Sequence, residues 1–100
     1  MRYKLTFEAE RDLTEIYVHG FLQFGETQAE KYFAALEDCF TVLSNAPLIC
    51  RERTELTPPV RIHHRGRHLV IYVIQDDRIL IIRVLHDSMD VKRHLSVTEE

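Results

Sequence analysis

The sequence predicts an α+β fold: an antiparallel sheet, made of an N-terminal strand plus a three-stranded C-terminal meander, packed against an N-terminal antiparallel helical hairpin and followed by a short C-terminal helix. Three observations carry this reading. Through two consecutive segments of the first half, apolar residues recur at spacings of three and four, the period of helices with one buried side. Between residues 60 and 86, apolar runs of strand length are separated by short polar turns. A chain of 100 residues that is 45% hydrophobic and 29% charged, with three Gly and three Pro, also has enough apolar surface for a core and none of the bias of a disordered or low-complexity chain. We read residues 1–100 as a single domain.

Tyr3, Leu5 and Phe7 alternate with Lys4 and Thr6, the two-residue period of a strand with one buried face. From Thr6, a candidate N-cap, the pattern changes to Ala9, Leu13, Ile16, Tyr17, Gly20, Phe21 and Phe24 along one helix side, and Gly25 supplies a left-handed stop. A second helix is expected to open with a capping box at Thr27-Gln28-Ala29-Glu30, the Thr hydroxyl and Glu carboxylate each satisfying the other's free amide. Ala29, Tyr32, Phe33, Leu36, Phe40 and Leu43 continue it to Asn45-Ala46-Pro47, where proline stops it. A connection of two or three residues folds the two helices back on each other. Residues 46–59 form a loop, followed by strands at about 60–64, 67–75 and 78–86, with turns at Arg65-Gly66 and Asp76-Asp77. The last two strands are apolar at nearly every position, so both faces require cover: the hairpin on one side, and a partner, the tail or the surroundings of strand one on the other. Asp87-Ser88-Met89-Asp90 offers caps for a final helix to about Leu95, and Ser96 to Glu100 is expected to fray.

Composition excludes several function classes. The apolar runs Leu69–Ile74 and Ile79–Ile82 fall far short of the roughly 20 residues of a membrane span. The alternating N-terminus does not resemble a signal core, so the expected location is cytoplasmic with no membrane partner. Cys39 and Cys50 are too few and too widely spaced for a disulfide framework or zinc motif and are read as free thiols. A net charge of −3 argues against a general nucleic-acid coat, which needs many cations to displace counterions. Charge is unevenly placed, however: residues 60–75 hold Arg61, Arg65 and Arg67 and no carboxylate. His63 and His64, with His68 nearby, suggest a metal only by count, since strand neighbours point to opposite faces; we assign neither metal nor cofactor.

Four motifs, in the right order over residues 3–94, resemble the ParE/RelE toxin superfamily. Ala9-Glu10-Arg11-Asp12-Leu13 with Ile16 resembles its opening Ala-x-x-Asp-Leu-x-x-Ile. Phe24-Gly25-Glu26-Thr27-Gln28-Ala29 with Tyr32, Leu36 and Phe40 resembles its inter-helix turn and second helix, and Leu43 to Pro47 its helix exit. Most specific is Ile82-Arg83-Val84-Leu85-His86-Asp87-Ser88-Met89-Asp90-Val91, similar to the last-strand signature Arg-Val-Leu-His-x-x-Met/Arg-Asp. One departure stands out: Cys50 occupies a position near which the family commonly has Gly in Pro-x-x-Gly-Arg, so the loop is expected to take another path.

The resemblance implies the toxin of a type II toxin–antitoxin pair. It also implies a cognate antitoxin, ParD-like or similar, through whose DNA-binding part the toxin associates indirectly with DNA. Two activities compete. A ParE-like member inhibits DNA gyrase by binding, for which the candidate contacts are Arg61, Arg65, Arg67 and His86. A RelE-like member cleaves mRNA on the ribosome and needs a base, an acid and a cation at the phosphorane, for which the candidates are Arg61, His68, Arg83 and His86. The basic set is mostly arginine and lacks the lysine pair and terminal tyrosine of the RelE-like branch, so the gyrase reading leads; a member that only binds its antitoxin is the third. Asp12, Arg83, His86 and Asp90 form the structural signature: Arg83, inside an apolar strand, is expected to pair with Asp12, Glu15 or Asp90, and His86 to hydrogen-bond the start of the final helix.

Overall fold

The computed structural model describes residues 2–95, so the expected fraying of residues 96–100 lies outside the described part. The chain runs β1 (Arg2–Leu5), α1 (Phe7–Phe24), α2 (Glu26–Asn45), β2 (Glu52–Arg53), β3 (Val60–Arg65), β4 (His68–Gln75), β5 (Arg78–His86) and α3 (Val91–Leu95). The strands form one sheet in the order β1-β5-β4-β3-β2. The hairpin, the meander and the short last helix therefore stand as the sequence predicts. The N-terminal strand, though, pairs parallel to β5, with Tyr3 opposite Ile79 and Leu5 opposite Ile81, making the sheet mixed. No tight turn joins β1 to β5, so nothing imposes an antiparallel direction on that pair.

Thr6 turns strand into helix. Its backbone N–H donates to the Ile81 carbonyl at 3.0 Å, while its hydroxyl donates to the Ile82 carbonyl at 2.8 Å and accepts from the Ala9 amide at 3.0 Å. One residue thus closes the end of β1 and caps α1. Because the cap falls here, Phe7 begins the helix and does not extend the strand; it is 72% exposed, against the expected burial.

A single residue joins the two helices. Gly25, at φ 91, donates to the Phe21 carbonyl at 2.9 Å, and its own carbonyl accepts from Ala29 at 3.1 Å. Helix α2 consequently starts at Glu26, and no side chain caps it. The capping box expected at Thr27 does not form: a one-residue link leaves Thr27 inside the first turn, where it cannot adopt an extended cap conformation. Glu26 still places a negative charge at the helix N-terminus.

Two apolar layers sandwich the sheet. On the hairpin side, Ala9, Leu13, Leu36, Phe40 and Leu43 pack on Val70, Tyr72, Ile79, Ile81 and Val84. On the other side, Ile71, Ile82 and Leu85 are covered by Leu56 and Val60 and by Leu95 of α3. The cover of this second face comes from the final helix together with the loop before β3, while the tail from Ser96 onward lies outside the described residues. Strand β5, between β1 and β4, is interior as predicted.

Strand β1 stops at Leu5 while β5 continues, so the side chains of Thr6 and Asp12 complete the edge. Between β4 and β5 the register slips: Tyr72 faces Ile81 but Ile71 faces Arg83, leaving Ile82 as an extra residue. Such a bulge bends the strand and re-aims the side chains beyond it. Past the bulge, the Val84 N–H donates to Asp12 Oδ2 at 2.9 Å. The Arg83 fork donates to the same carboxylate through Nε at 2.8 Å and Nη2 at 2.9 Å, with Nη1 3.5 Å from the His94 carbonyl. Their side chains are 16% and 11% exposed, and the bond to Asp12 holds the Arg83 pKa above its usual value. Of the three carboxylates expected as partners, Asp12 is the one engaged; Asp90 instead accepts from the Lys92 amide at 3.1 Å, capping α3.

Removing one partner of such a pair strands the other's charge, a loss of about 3 kcal/mol or more. Urea unfolding of Asp12→Ala should show that loss, and the D12A/R83M double variant should lose less than the sum of the single variants.

Candidate functional site

The chemistry-bearing residues converge at the end of the sheet where β3 turns into β4 and β5 ends. His68 and His86 are direct cross-strand partners, with ring centroids 5.5 Å apart at 86°. Tyr32 reaches them from α2: its hydroxyl lies 2.7 Å from His68 Nδ1, accepts from the Arg67 amide at 3.2 Å and faces the Arg65 carbonyl at 3.3 Å. His86 Nδ1 accepts from the Ser88 N–H at 3.1 Å and lies 2.8 Å from Ser88 Oγ, so this ring holds the start of the segment leading to the final helix, as its sequence position suggests. Asp87 sits between two imidazoles, with carboxylate oxygens 3.4 Å from His64 Nε2 and 3.4 Å from His86 Nδ1.

The turn is built around Tyr32. Gly66 has φ 60, and a Cβ there would lie 2.7 Å from the Tyr32 hydroxyl. Glycine is thus required twice, for the left-handed backbone and for the space. Arg65 and Arg67 flank it as exposed residues. A groove of about 820 Å³ runs from this cluster along α1 and the start of α2, lined by Glu15, Ile16, His19, Phe24, Met89 and others.

Not all the sequence candidates meet here. Arg61 lies four residues before Arg65, about 13 Å along the strand, where its guanidinium donates to the Cys50 carbonyl at 2.6 Å. Tyr72 donates to the Pro47 carbonyl at 2.9 Å, and His63 Nδ1 lies 3.6 Å from Cys50 Sγ. Together these fasten the 46–59 loop. Burial, with Cys50 adjacent, pushes the Tyr72 hydroxyl up to about 12. Among the described residues Asp76 is the only non-glycine with positive φ, so the loop passes Cys50 without the left-handed turn that a glycine would serve. Cys39 and Cys50 are both free thiols. His63 faces Cys50 while His64 faces Asp87, and among the described residues no three His, Cys, Asp or Glu side chains are grouped to hold a metal. Arg83 is bound to Asp12, away from the histidine pair. The residues that sequence reasoning missed are Tyr32, assigned there only to an apolar helix stripe, along with Ser88 as a partner of His86.

The structure is thus a helical hairpin on a five-stranded mixed sheet, latched by an aspartate–arginine fork and ending in a turn that bears exposed arginines beside a histidine pair. The family model for the "ParE toxin of type II toxin-antitoxin system, parDE" matches residues 3–91. The chain is 35% identical over 95 residues to Toxin ParE1 of Mycobacterium tuberculosis, covering 94% of this chain and 97% of that protein. It is 31% identical over 93 residues to Toxin ParE1 of Caulobacter vibrioides, covering 93% and 96%, and 30% identical over 95 residues to Toxin ParE of Escherichia coli, covering 94% and 92%. A solved chromosomal ParDE TA system from P. aeruginosa contains a chain with TM-score 0.72 and 25% identity, covering 86% of this chain and 95% of that one. The chain belongs to the ParE toxin family of type II toxin–antitoxin systems, which implies an antitoxin partner. No helix among the described residues is long and apolar enough to cross a membrane.

Two measurements check the site's geometry. Gly66→Ala should cost about 2 kcal/mol, combining backbone strain with loss of a Tyr32 hydrogen bond. In a Tyr32→Phe background, the same substitution should cost less, because the clashing oxygen is gone. The second concerns pH. Burial, then the neighbouring His86, holds His68 below the ordinary 6.5, and burial does the same for His63. Because the unfolded chain takes up these protons first, stability is greatest above about pH 6.5 and falls as pH drops through the depressed folded values. Unfolding free energies at about pH 7.5 and about pH 5.5 should differ by less in an H63Q/H68Q variant than in the wild type.

Proposed function

We propose that this chain arrests growth by binding DNA gyrase and inhibiting it, and that its cognate antitoxin keeps it silent and ties it indirectly to operator DNA. The observation that carries this reading is the match to the ParE toxin family across residues 3–91. The geometry supports it with a surface suited to a DNA-loaded enzyme. Arg65 and Arg67 stand exposed on the β3–β4 turn, within a stretch from 60 to 75 that contains no carboxylate, and His86 lies at their side. Positive charge placed beside nucleic acid speeds encounter and favours the loaded form of the target. Arg61, engaged with the Cys50 carbonyl, serves this surface by fixing the loop next to it.

A second reading has one observation in its favour. His68 and His86, edge to face at 5.5 Å, could move protons in a RelE-like cleavage of ribosome-bound mRNA, with Arg67 as the cation. The same preparation distinguishes the two. The purified chain should inhibit gyrase supercoiling and leave ribosome-bound mRNA intact, and the R65A/R67A double variant, with an unchanged melting temperature, should need about tenfold more protein for equal inhibition. Cleaved mRNA with undisturbed supercoiling would assign the nuclease.

A further inference from the structure

Two thiols, an imidazole and two arginines gather where α2, β3 and the 46–59 loop meet, away from the histidine pair at the turn. Cys50 Sγ lies 3.6 Å from His63 Nδ1. The backbone that carries this sulfur is pinned, since Tyr72 donates to the Pro47 carbonyl at 2.9 Å and Arg61 to the Cys50 carbonyl at 2.6 Å. Arg61 thereby brings a full positive charge to the residue that bears the thiol. Cys39 is the contrast. It shares a cleft of about 230 Å³ with His63, but it is only 7% exposed, and burial pushes its thiol up. Cys50 is half-buried and follows the exposed Leu48 and Ile49.

We propose that Cys50 is a site of covalent modification by hydroperoxides, with His63 as the proton carrier that makes its sulfur nucleophilic. The proposal stands apart from the growth-arrest reading and needs nothing from it. The thiolate is the reactive form of cysteine, and neighbouring cations raise its share. Whichever tautomer the ring holds beforehand, the thiolate is faced by Nδ1–H, because that proton is either already there or arrives from the sulfur. Burial, then Arg65 and His64, hold His63 below the ordinary 6.5, so at neutral pH the ring is uncharged and able to accept. The charged and titratable groups around the pair are Cys39 and Asp38 from α2, Arg61, His64 and Arg65 on β3, and Tyr72 on β4. Arg61 and Arg65 stand against the single carboxylate of Asp38, a balance that favours the anion.

With hydrogen peroxide the sulfur attacks one oxygen and the O–O bond breaks. Two electrons pass from sulfur to the departing oxygen, which takes the proton from His63 and leaves as water. Cys50 becomes a sulfenic acid and the ring is neutral again. The new oxygen does not fit within the 3.6 Å contact, so the oxidised residue parts from His63. The loop then keeps its ties through Tyr72 and Arg61 and loses the one through sulfur.

The test is oxidation of the full, folded chain by hydrogen peroxide in the presence of dimedone, which traps sulfenic acid, with adducts on the two cysteine peptides read by mass spectrometry. At about pH 7, Cys50 should be labelled at least about fivefold faster in the folded chain than in the same chain unfolded in urea, and Cys39 more slowly folded than unfolded. His63→Gln should slow Cys50 at least about fivefold, and Cys39→Ser should leave its rate unchanged. Because an ordinary thiol loses its proton near about pH 8.5, the unfolded rate should climb steeply between about pH 6 and about pH 8 and the folded rate less so. Folded Cys50 that reacts no faster than unfolded Cys50, adducts on Cys39 in its place, or a folded H63Q chain that reacts at the wild-type rate would each overturn the proposal. Should H63Q fail to fold, the comparison of folded with unfolded wild-type chain decides the matter without a variant.

Discussion

One carboxylate organises this molecule. Asp12, on the first helix, accepts from the Arg83 fork and from the Val84 amide, which lies just where β1 has ended and β5 would otherwise present an unpaired edge. Unpaired edge amides in a sheet either take up water or recruit another chain. Here a side chain from the helix layer substitutes for the missing strand. The same carboxylate neutralises an arginine that the bulge at Ile82 has turned toward the sheet margin. An arginine in an otherwise apolar strand is tolerable only with such a partner, and the fork, unlike a lysine, binds both oxygens and so sets the angle between α1 and β5.

From that angle the rest of the site follows. With α1 anchored at Asp12 and α2 following after the single residue Gly25, Tyr32 arrives above the β3–β4 turn, where Gly66 leaves room for its hydroxyl. Tyr32 then holds the turn's backbone and one imidazole at once. The β4–β5 register sets the second imidazole opposite the first. A charged, hydrogen-bonding turn and an apolar groove come to lie side by side at one end of the sheet.

Much of this was legible in the residues. Helical spacing through Ala9, Leu13, Leu36, Phe40 and Leu43 located the hairpin's buried side, since only the period of the pattern was needed. Arg83 announced a carboxylate partner because its charge has no other tolerable environment. What stayed hidden depends on register and reach. The bulge at Ile82 leaves no mark in a strand that is apolar on both faces, because a one-residue slip there moves one hydrophobic residue onto another. The parallel direction of β1 is set by how the chain wraps and not by any turn. Two start signals competed for the second helix, and the one-residue link at Gly25 overrode the capping box at Thr27. Tyr32 looked like one more apolar helix residue, because a hydroxyl that acts 36 positions away has no local signature.

If Asp12 truly stands in for a strand, the Val84 N–H is as well protected as an interior amide. Native-state hydrogen exchange measures this directly. The account predicts that Val84 exchanges only through global unfolding, at the free energy of its β5 neighbours Ile79 and Ile81, and that Asp12→Ala drops it to a local opening while those neighbours lose only the overall stability change. Rapid exchange at Val84 in the wild-type chain, or a D12A chain in which Val84 stays level with its neighbours, would contradict it.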